Sequence, residues 1–405
     1  MTIEATIEAG SAPSALDIVA DVPLAELERD PYPFYERMRR EHPVVFVPET
    51  GRVLILTWDL CREAGVNDEV FGPTQDIHEF VYGRGNIMML SGDEHRTIRT
   101  AANSPLRPKQ TKTYVDRMRE TVREYLAGIR DRGRADAARE IFEPMCQRVV
   151  GDIAGYGDVP DETLSRWLRA LADRLVDYGR DPEVDRRSRE VKAEITAYLE
   201  KRLPELAAEE SYTVLGHLVR TAVPEGADAV AILQPTAEVL IVGGFQEPAH
   251  LASSTLLGLL THPAAWERFA AEPSAWAREA LEEGLRWLPP FGMTEKLTTA
   301  DVELGGVRIP AGTEIAMVIG SANRDPERFA NPDVFELERE DRDNVSFGFG
   351  THFCIGHNVA RALGEVILVE TMRALPGLRL DPDAEVVVHG WQARGPVQLP
   401  VVWDA

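Results

Sequence analysis

Residues 346–363 read SFGFGTHFCIGHNVARAL. Phe347, Gly348, Gly350, His352, Cys354 and Gly356 fall on an irregular loop that runs straight into the helix HNVARALGEVILVETMRALP. Glycines let a backbone turn tightly and come close to a flat ligand. A cysteine at a helix N-terminus meets the positive end of the dipole and unsatisfied N–H groups, which favour its thiolate. A thiolate so placed suits one axial position on a haem iron, where the electron density it donates favours O–O cleavage. A lone cysteine beside a glycine-rich turn is more often a buried thiol. A zinc site built from His352, Cys354 and His357 lacks the second cysteine pair or remote ligand cluster that structural zinc expects. Six defined positions decide the weighing: at about one in twenty each, a chance match in this chain is on the order of one in 100,000.

Outward from that loop, the bulk properties narrow the class. A net charge of -23 argues against a nucleic-acid binder, which needs a basic face, and leaves room for a local basic patch that docks an acidic partner. The cysteines, Cys61, Cys146 and Cys354, are too few for a disulfide framework, so a reducing compartment is expected. The acidic start MTIEATIEAGSAPSALDIVADVP has neither the basic nor the apolar region of a signal peptide. Apolar runs such as VLIVGGF fall well short of the roughly 20 residues that span a bilayer. The expectation is a soluble cytoplasmic enzyme with no nucleic-acid or membrane partner.

Residues 1–20 read as a loose arm, and 21–405 as a single domain, because no Pro/Gly/Ser linker divides it. From Pro31 the text predicts a helix, two short strands around a Glu-Thr-Gly turn, and another helix. Residues 91–220 are helix-rich. TADVELGGVRIPAGTEIAMVIG reads as a sheet element and VVVHGWQARGPVQLPVVW as strands. The fold class is mainly α with small β-sheets.

A second stretch, TAEVLIVGGFQEPAHLASSTLLGLL at 236–260, reads as one long apolar helix with an odd centre. An interior proline costs about 3 kcal/mol, and an interior glycine up to about 1 kcal/mol. Pro248 also leaves the carbonyl of Gly244 without its helical donor. Either the centre is functional, or Pro248 separates two helices and Glu247 points to solvent.

The cysteine stretch resembles the haem-binding loop Phe-Gly-x-Gly-x-His-x-Cys-x-Gly of the cytochrome P450 family of haem-thiolate monooxygenases. Other signatures follow in order along nearly the whole chain. Glu283 and Arg286 in EGLR match the family's Glu-x-x-Arg, a spacing that shares one helix face. Arg339 in FELER looks like the third member of its buried ion network. In SGDEHRTIR, Ser91 and Glu94 form a capping-box pattern. His95 and Arg99 match the His-x-x-x-Arg that pairs with haem propionates, as cations suit carboxylates. His352 resembles the propionate donor beside the cysteine. Lys296 stands where many members have a further arginine, and lysine lacks that planar fork. The resemblance implies a P450 fold with haem b, ligated by Cys354, between the long oxygen-side helix and the cysteine loop.

On the oxygen-side helix the family's usual text is Ala/Gly-Gly-x-Asp/Glu-Thr-Thr. Here Gly243 and Gly244 fill the small positions, Gln246 replaces the acid, Glu247 the first threonine and Pro248 the second. The resemblance implies that Glu247 takes over proton delivery during O2 activation, its carboxyl raised by burial, or that the enzyme is driven by peroxide. Gly-Gly-x-Gln-Glu-Pro-x-His and ARGPVQLPVVW look most like the bacterial aryl O-demethylase branch, which acts on guaiacol-type lignin phenols. Alignment to it implies a pocket of Tyr82, Met88, Leu175, Val239, Gly243, Met293 and Ala393, widened at Leu175 and Ala393, narrowed at Met293, and suited to a para-alkylguaiacol. Two or three of these seven are expected to pack the core instead. Other readings are hydroxylation of a small apolar terpenoid and a non-catalytic haem sensor. No reductase is fused to the chain, so electrons come from a separate flavin or iron–sulfur protein, with Arg96, Arg361 and His357 as candidate docking charges.

Overall fold

The structure is a computed structural model that describes residues 16–405 apart from positions 75, 178 and 210 and the side chains at 76 and 77. In chain order the helices are α1 (Leu24–Arg29), α2 (Tyr32–Glu41), α3 (Trp58–Val66), α4 (Asp76–Tyr82), α5 (Gly92–Asn103), α6 (Pro108–Ile129), α7 (Glu143–Ala154), α8 (Asp161–Leu175), α9 (Pro182–Ala208), α10 (Val214–Thr221), α11 (Ala229–Thr261), α12 (Pro263–Ala271), α13 (Pro273–Trp287), α14 (Ile319–Ala322) and α15 (His357–Ala374). The strands are β1 (Val44–Val47), β2 (Arg52–Ile55), β3 (Phe71–Gly72), β4 (Arg134–Asp136), β5 (Thr294–Thr298), β6 (Val302–Leu304), β7 (Val307–Ile309), β8 (Glu314–Met317), β9 (Arg379–Leu380), β10 (Val387–His389), β11 (Gly395–Gln398) and β12 (Pro400–Val402). Helix dominates and the sheets are small, as expected. The chain divides into two compact units: residues through Thr74, Glu282–Cys354 and Val388–Pro396 form the first, and Gln75–Leu281, Ile355–Val387 and Val397–Ala405 the second.

The first unit is built on a five-stranded sheet in the order β1-β2-β8-β5-β3. β1 and β2 pair antiparallel across a turn in which Gly51 adopts φ +65, and β2 pairs parallel with β8, Val53 opposite Ile315. Both faces are buried, which is why VVFV and RVLI read as nearly continuous apolar runs. Alternate residues Val44, Phe46, Val53, Ile55, Ile315 and Met317 pack with Trp58, Cys61 and Phe329. The intervening Val45, Val47, Leu54, Ala316 and Val318 pack with Tyr35, Met38, Met293 and Trp391. Of the arm expected at 1–20, residues 1–15 lie outside the described residues. Ile18 bridges Phe46 and the Val19 N–H donates to its carbonyl at 3.0 Å, so the end of that stretch lies along β1.

The second unit is helical around α11. Asp228 caps this helix by accepting from the Ala231 N–H at 3.1 Å, and 33 residues then run on without a break through Pro235 and Pro248. Pro248 therefore does not separate two helices. The helix is apolar on nearly all sides because α7, α8, α9 and α15 surround it. By length and apolarity it is also, among the described residues, the one helix sufficient to cross a membrane. α15 packs along α6, where Arg123 Nε donates to Glu370 at 2.7 Å. A small sheet, β4-β12-β9, closes the unit.

Candidate functional site

The cysteine loop belongs to the first unit. Gly348 and Gly350 adopt φ +75 and +57, the left-handed region where a side chain is strained. Gly356 does not need glycine's freedom: it is the N-cap of α15 in right-handed conformation, φ −83. The Cys354 N–H donates to the Phe347 carbonyl at 2.8 Å, closing the loop on itself, and the rings of Phe347 and Phe353 lie 6.4 Å apart. Cys354 is partly buried and forms no disulfide. Two positions with no motif shape this loop. A Cβ on Gly65 of α3 would stand 2.3 Å from the Phe349 ring, so glycine makes room for that phenylalanine. Asp68 accepts from the Thr351 hydroxyl at 2.9 Å, beside His352.

Asp68 also changes the reading of Lys296. On β5, the Lys296 ammonium donates to Asp68 Oδ1 at 2.8 Å, to the Gly65 carbonyl at 2.9 Å and to the Ala64 carbonyl at 3.4 Å. An ammonium has three donors, and all three are committed to this loop-bracing cluster instead of an external carboxylate.

Glu283, Arg286 and Arg339 form the buried network expected of them. Arg286 Nε and Nη2 grip the two Glu283 oxygens at 2.8 and 2.7 Å, and Arg339 Nε lies 3.1 Å from Oε2. The remaining guanidinium protons go to the carbonyls of Asn323, Pro332, Val334, Ala330 and Asn331. Arg286 is 0% and Glu283 1% exposed, so an ordinary surface pair is ruled out.

In the second unit, α5 carries His95, buried, and Arg99 one turn on. The helix starts at the expected Ser91, but its hydroxyl makes no cap. Gly92 enters at φ +58, which breaks the geometry a Ser-x-x-Glu box requires. Arg96 is exposed and paired with Asp93. Met88 and Val239 are partly exposed, Tyr82 and Leu175 buried. In the first unit Ala393 is partly exposed, whereas Met293 is 0% exposed and packed among Leu54, Val318 and Trp391, so it fills the core instead of narrowing a pocket. A cavity of about 180 Å³ on the second unit is lined by Tyr114, Met118, Val149 and Ile153 and holds none of the predicted residues.

The centre of α11 meets the test for a bulky ligand. Gly243 is exposed although mid-helix, and a Cβ there would meet nothing within 4 Å; at Gly244 a Cβ would stand 2.9 Å from Val150. Glu247 Oε2, His250 Nδ1 and Ser254 Oγ are buried and have no hydrogen-bond partner among the described residues. At 100° per residue these three lie within about 60° of one helix face. Burial pushes the Glu247 carboxyl up to about 7 and the His250 imidazole down to about 4. Burial, and then the charges of Glu247 and Glu238, push the Tyr82 phenol up, which brings Tyr82 into the field of Glu247. In the first unit the loop-borne, partly buried Cys354 fits the thiolate ligand of a haem; in the second, the open Gly243 and the unpaired buried polar atoms of α11 fit the face of a bulky ligand. Cys354 would hold the haem by its sulfur. His250 closes the stretch GGFQEPAH but was given no role of its own, and Ser254 was missed because a lone serine inside an apolar helix carries no motif.

Comparison with known proteins agrees. A sequence profile described as Cytochrome P450 matches residues 277–376. The steroid C26-monooxygenase of Mycolicibacterium smegmatis is 28% identical over 373 residues, 91% of this chain and 92% of that protein. The erythromycin C-12 hydroxylase of Saccharopolyspora erythraea is 31% identical over 341 residues, 82% of this chain and 83% of that one. The crystal structure of CalO2 superposes with a TM-score of 0.84 at 26% identity, covering 94% of this chain and 97% of that chain. Identity sustained at that level along most of both chains carries the fold and the cofactor with it: the chain belongs to the cytochrome P450 family, whose members bind haem through a cysteine thiolate and use O2 for monooxygenation.

Proposed function

We propose that this P450 removes the methyl group from a small methoxyphenol, a guaiacol carrying a para-alkyl chain. The observation that carries the reading is GGFQEPAH at 243–250, with Glu247, whose Oε2 is buried and has no hydrogen-bond partner among the described residues, where the family usually has a threonine. Bound haem, ligated by the Cys354 thiolate, supplies O2 activation. The chain's own residues do the rest. Gly243 leaves space on the helix, and Glu247, pushed up to about 7, both holds and releases a proton at Oε2 near neutral pH. Tyr82, Met88, Leu175, Val239 and Ala393 are assigned to the substrate. His95, Arg99 and His352 are assigned to the propionates, and Lys296 joins them only by releasing Asp68. One oxygen atom enters a methyl C–H bond, and the hemiacetal collapses to a catechol and formaldehyde. The other atom leaves as water with two protons and two electrons, delivered by a separate flavin or iron–sulfur protein.

Spectral titration of the haem-loaded protein with guaiacol and para-alkylguaiacols tests the reading. A low-to-high-spin shift, followed by one formaldehyde per substrate turned over, is expected. Ring hydroxylation without formaldehyde overturns it. A second reading, hydroxylation of a larger apolar ring system, is favoured by the names of the relatives, which oxidise a steroid and erythromycin. Testosterone and a terpene in the same titration decide between them.

A further inference from the structure

The helix that carries Tyr82 is held by charges whose roles no motif records. A helix leaves its last carbonyls without intrahelical donors, and cations are favoured there. At the end of α4, Arg174 Nε donates to the Phe80 carbonyl at 3.1 Å, and Lys192 Nζ donates to the Val81 carbonyl at 2.9 Å. The Arg174 guanidinium also lies over the Phe80 ring, 3.9 Å from its centre, and pairs with Asp185. Lys192 is neutralised by Glu238 of α11, 2.7 Å away and 0% exposed, whose other oxygen accepts from Gln234 at 2.9 Å. Beyond Tyr82 the chain is tied again. Asn86 Nδ2 donates to the Gly83 carbonyl at 2.8 Å, its Oδ1 accepts from the Met88 N–H at 3.0 Å, and the Ile87 N–H donates to Thr236 of α11 at 3.1 Å.

The arrangement is one of sequence neighbours. Arg174 precedes Leu175 and Glu238 precedes Val239, so two of the clamp residues adjoin residues assigned to substrate, and the third, Lys192, holds the carbonyl of Val81, the residue before Tyr82. A buried charge pair adds little net stability, yet it fixes one arrangement among several, because a half-satisfied alternative is costly. We propose that Lys192, Glu238 and Arg174 are positioning residues that lock the α4 C-terminus onto α8, α9 and α11, hold Tyr82 in place and thereby set which para substituent the pocket admits. The inference rests on the assignment of Tyr82, Leu175 and Val239 to the substrate.

The test uses haem-loaded Lys192→Met, with Lys192→Arg as the conservative rescue and Glu238→Gln as an intermediate. Guaiacol, 4-methylguaiacol and 4-propylguaiacol are titrated by spin shift, with camphor and testosterone alongside, and amide hydrogen exchange is followed at residues 78–88. Lys192→Met is expected to weaken the best ligand about tenfold, to flatten the ranking across the panel, and to raise exchange at 78–88, with the reduced carbon monoxide spectrum unchanged. Lys192→Arg restores the ranking. An unchanged ranking and unchanged exchange at 78–88 overturn the proposal, as does exchange that rises equally across α8, α9 and α11. Should Lys192→Met fail to load haem, Lys192→Gln, which keeps a donor for Val81 but no charge, carries the same comparison. If wild type ignores every guaiacol but shifts with camphor or testosterone, the methoxyphenol reading fails. The clamp is then judged on those two ligands and on exchange.

Discussion

Asp68 stands 2.8 Å from the ammonium of Lys296, and its second oxygen takes the Thr351 hydroxyl at 2.9 Å, so one carboxylate braces the cysteine loop against β5. Lys296→Met is expected to cost about 2 kcal/mol, less than a fully buried pair because Asp68 keeps some solvent. Burial would raise the Asp68 carboxyl, but Lys296 and Thr351 outweigh it and hold it low. A lowered carboxyl stabilises the fold above its ordinary range and loses that contribution as acid protonates it. The stability gap between wild type and Asp68→Asn, followed by urea denaturation, therefore closes as pH falls below the ordinary aspartate range.

Glu283 pairs with two buried guanidiniums at once. Glu283→Gln leaves Arg286 without its carboxylate and Arg339 with only the partly exposed Glu336, 3.3 Å away, and is expected to cost roughly 3–5 kcal/mol. Arg339→Lys is expected to cost less, since one charge remains but the forked geometry is lost. Thermal melts and the haem retained after purification measure both. A Glu283→Gln protein as stable as wild type would contradict the buried network.

The raised carboxyl of Glu247 has the opposite pH sign. Protonated below its ordinary range, the group costs nothing there; as pH rises towards about 7 the folded state must ionise it in a buried site, and stability is lost. Glu247→Gln should match wild type in Tm near pH 5 and exceed it near pH 8. The same variant should remove a titration near pH 7 from the rate profile and lower the product formed per O2 consumed.

Gly243 and Gly244 are adjacent but not equivalent. Alanine at 243 meets open space and gains helix propensity, so Tm should rise by the equivalent of up to about 1 kcal/mol while substrate affinity changes. Alanine at 244 must displace Val150, which cancels or reverses that gain. Melts of the two single variants separate packing from site function.

Cys354→Ala should abolish the reduced carbon monoxide band of thiolate-ligated haem while far-ultraviolet circular dichroism keeps its helical signal. A retained thiolate band would move the ligand to Cys61 or Cys146. Both are fully buried thiols with their ionisation pushed up by burial, a poor state for a metal ligand.

By itself the sequence determined the helix-rich fold with small sheets and the cysteine loop, both written in local spacing: period 3.6, period 2, turn glycines, or a motif of several defined positions. It also exposed the anomaly at 243–248. The Glu283–Arg286–Arg339 network was legible only through the family resemblance, because Arg339 lies 56 residues from Glu283. Tertiary structure alone decided that Pro248 lies inside one continuous helix, that Met293 belongs to the core, and that Lys296 is taken up by Asp68, 228 residues away. It alone placed Lys192 and Arg174 on the carbonyls of α4. These are outcomes of burial and charge pairing between segments far apart in the chain. No local pattern encodes them, because a side chain's partner is set by which surfaces the fold presses together.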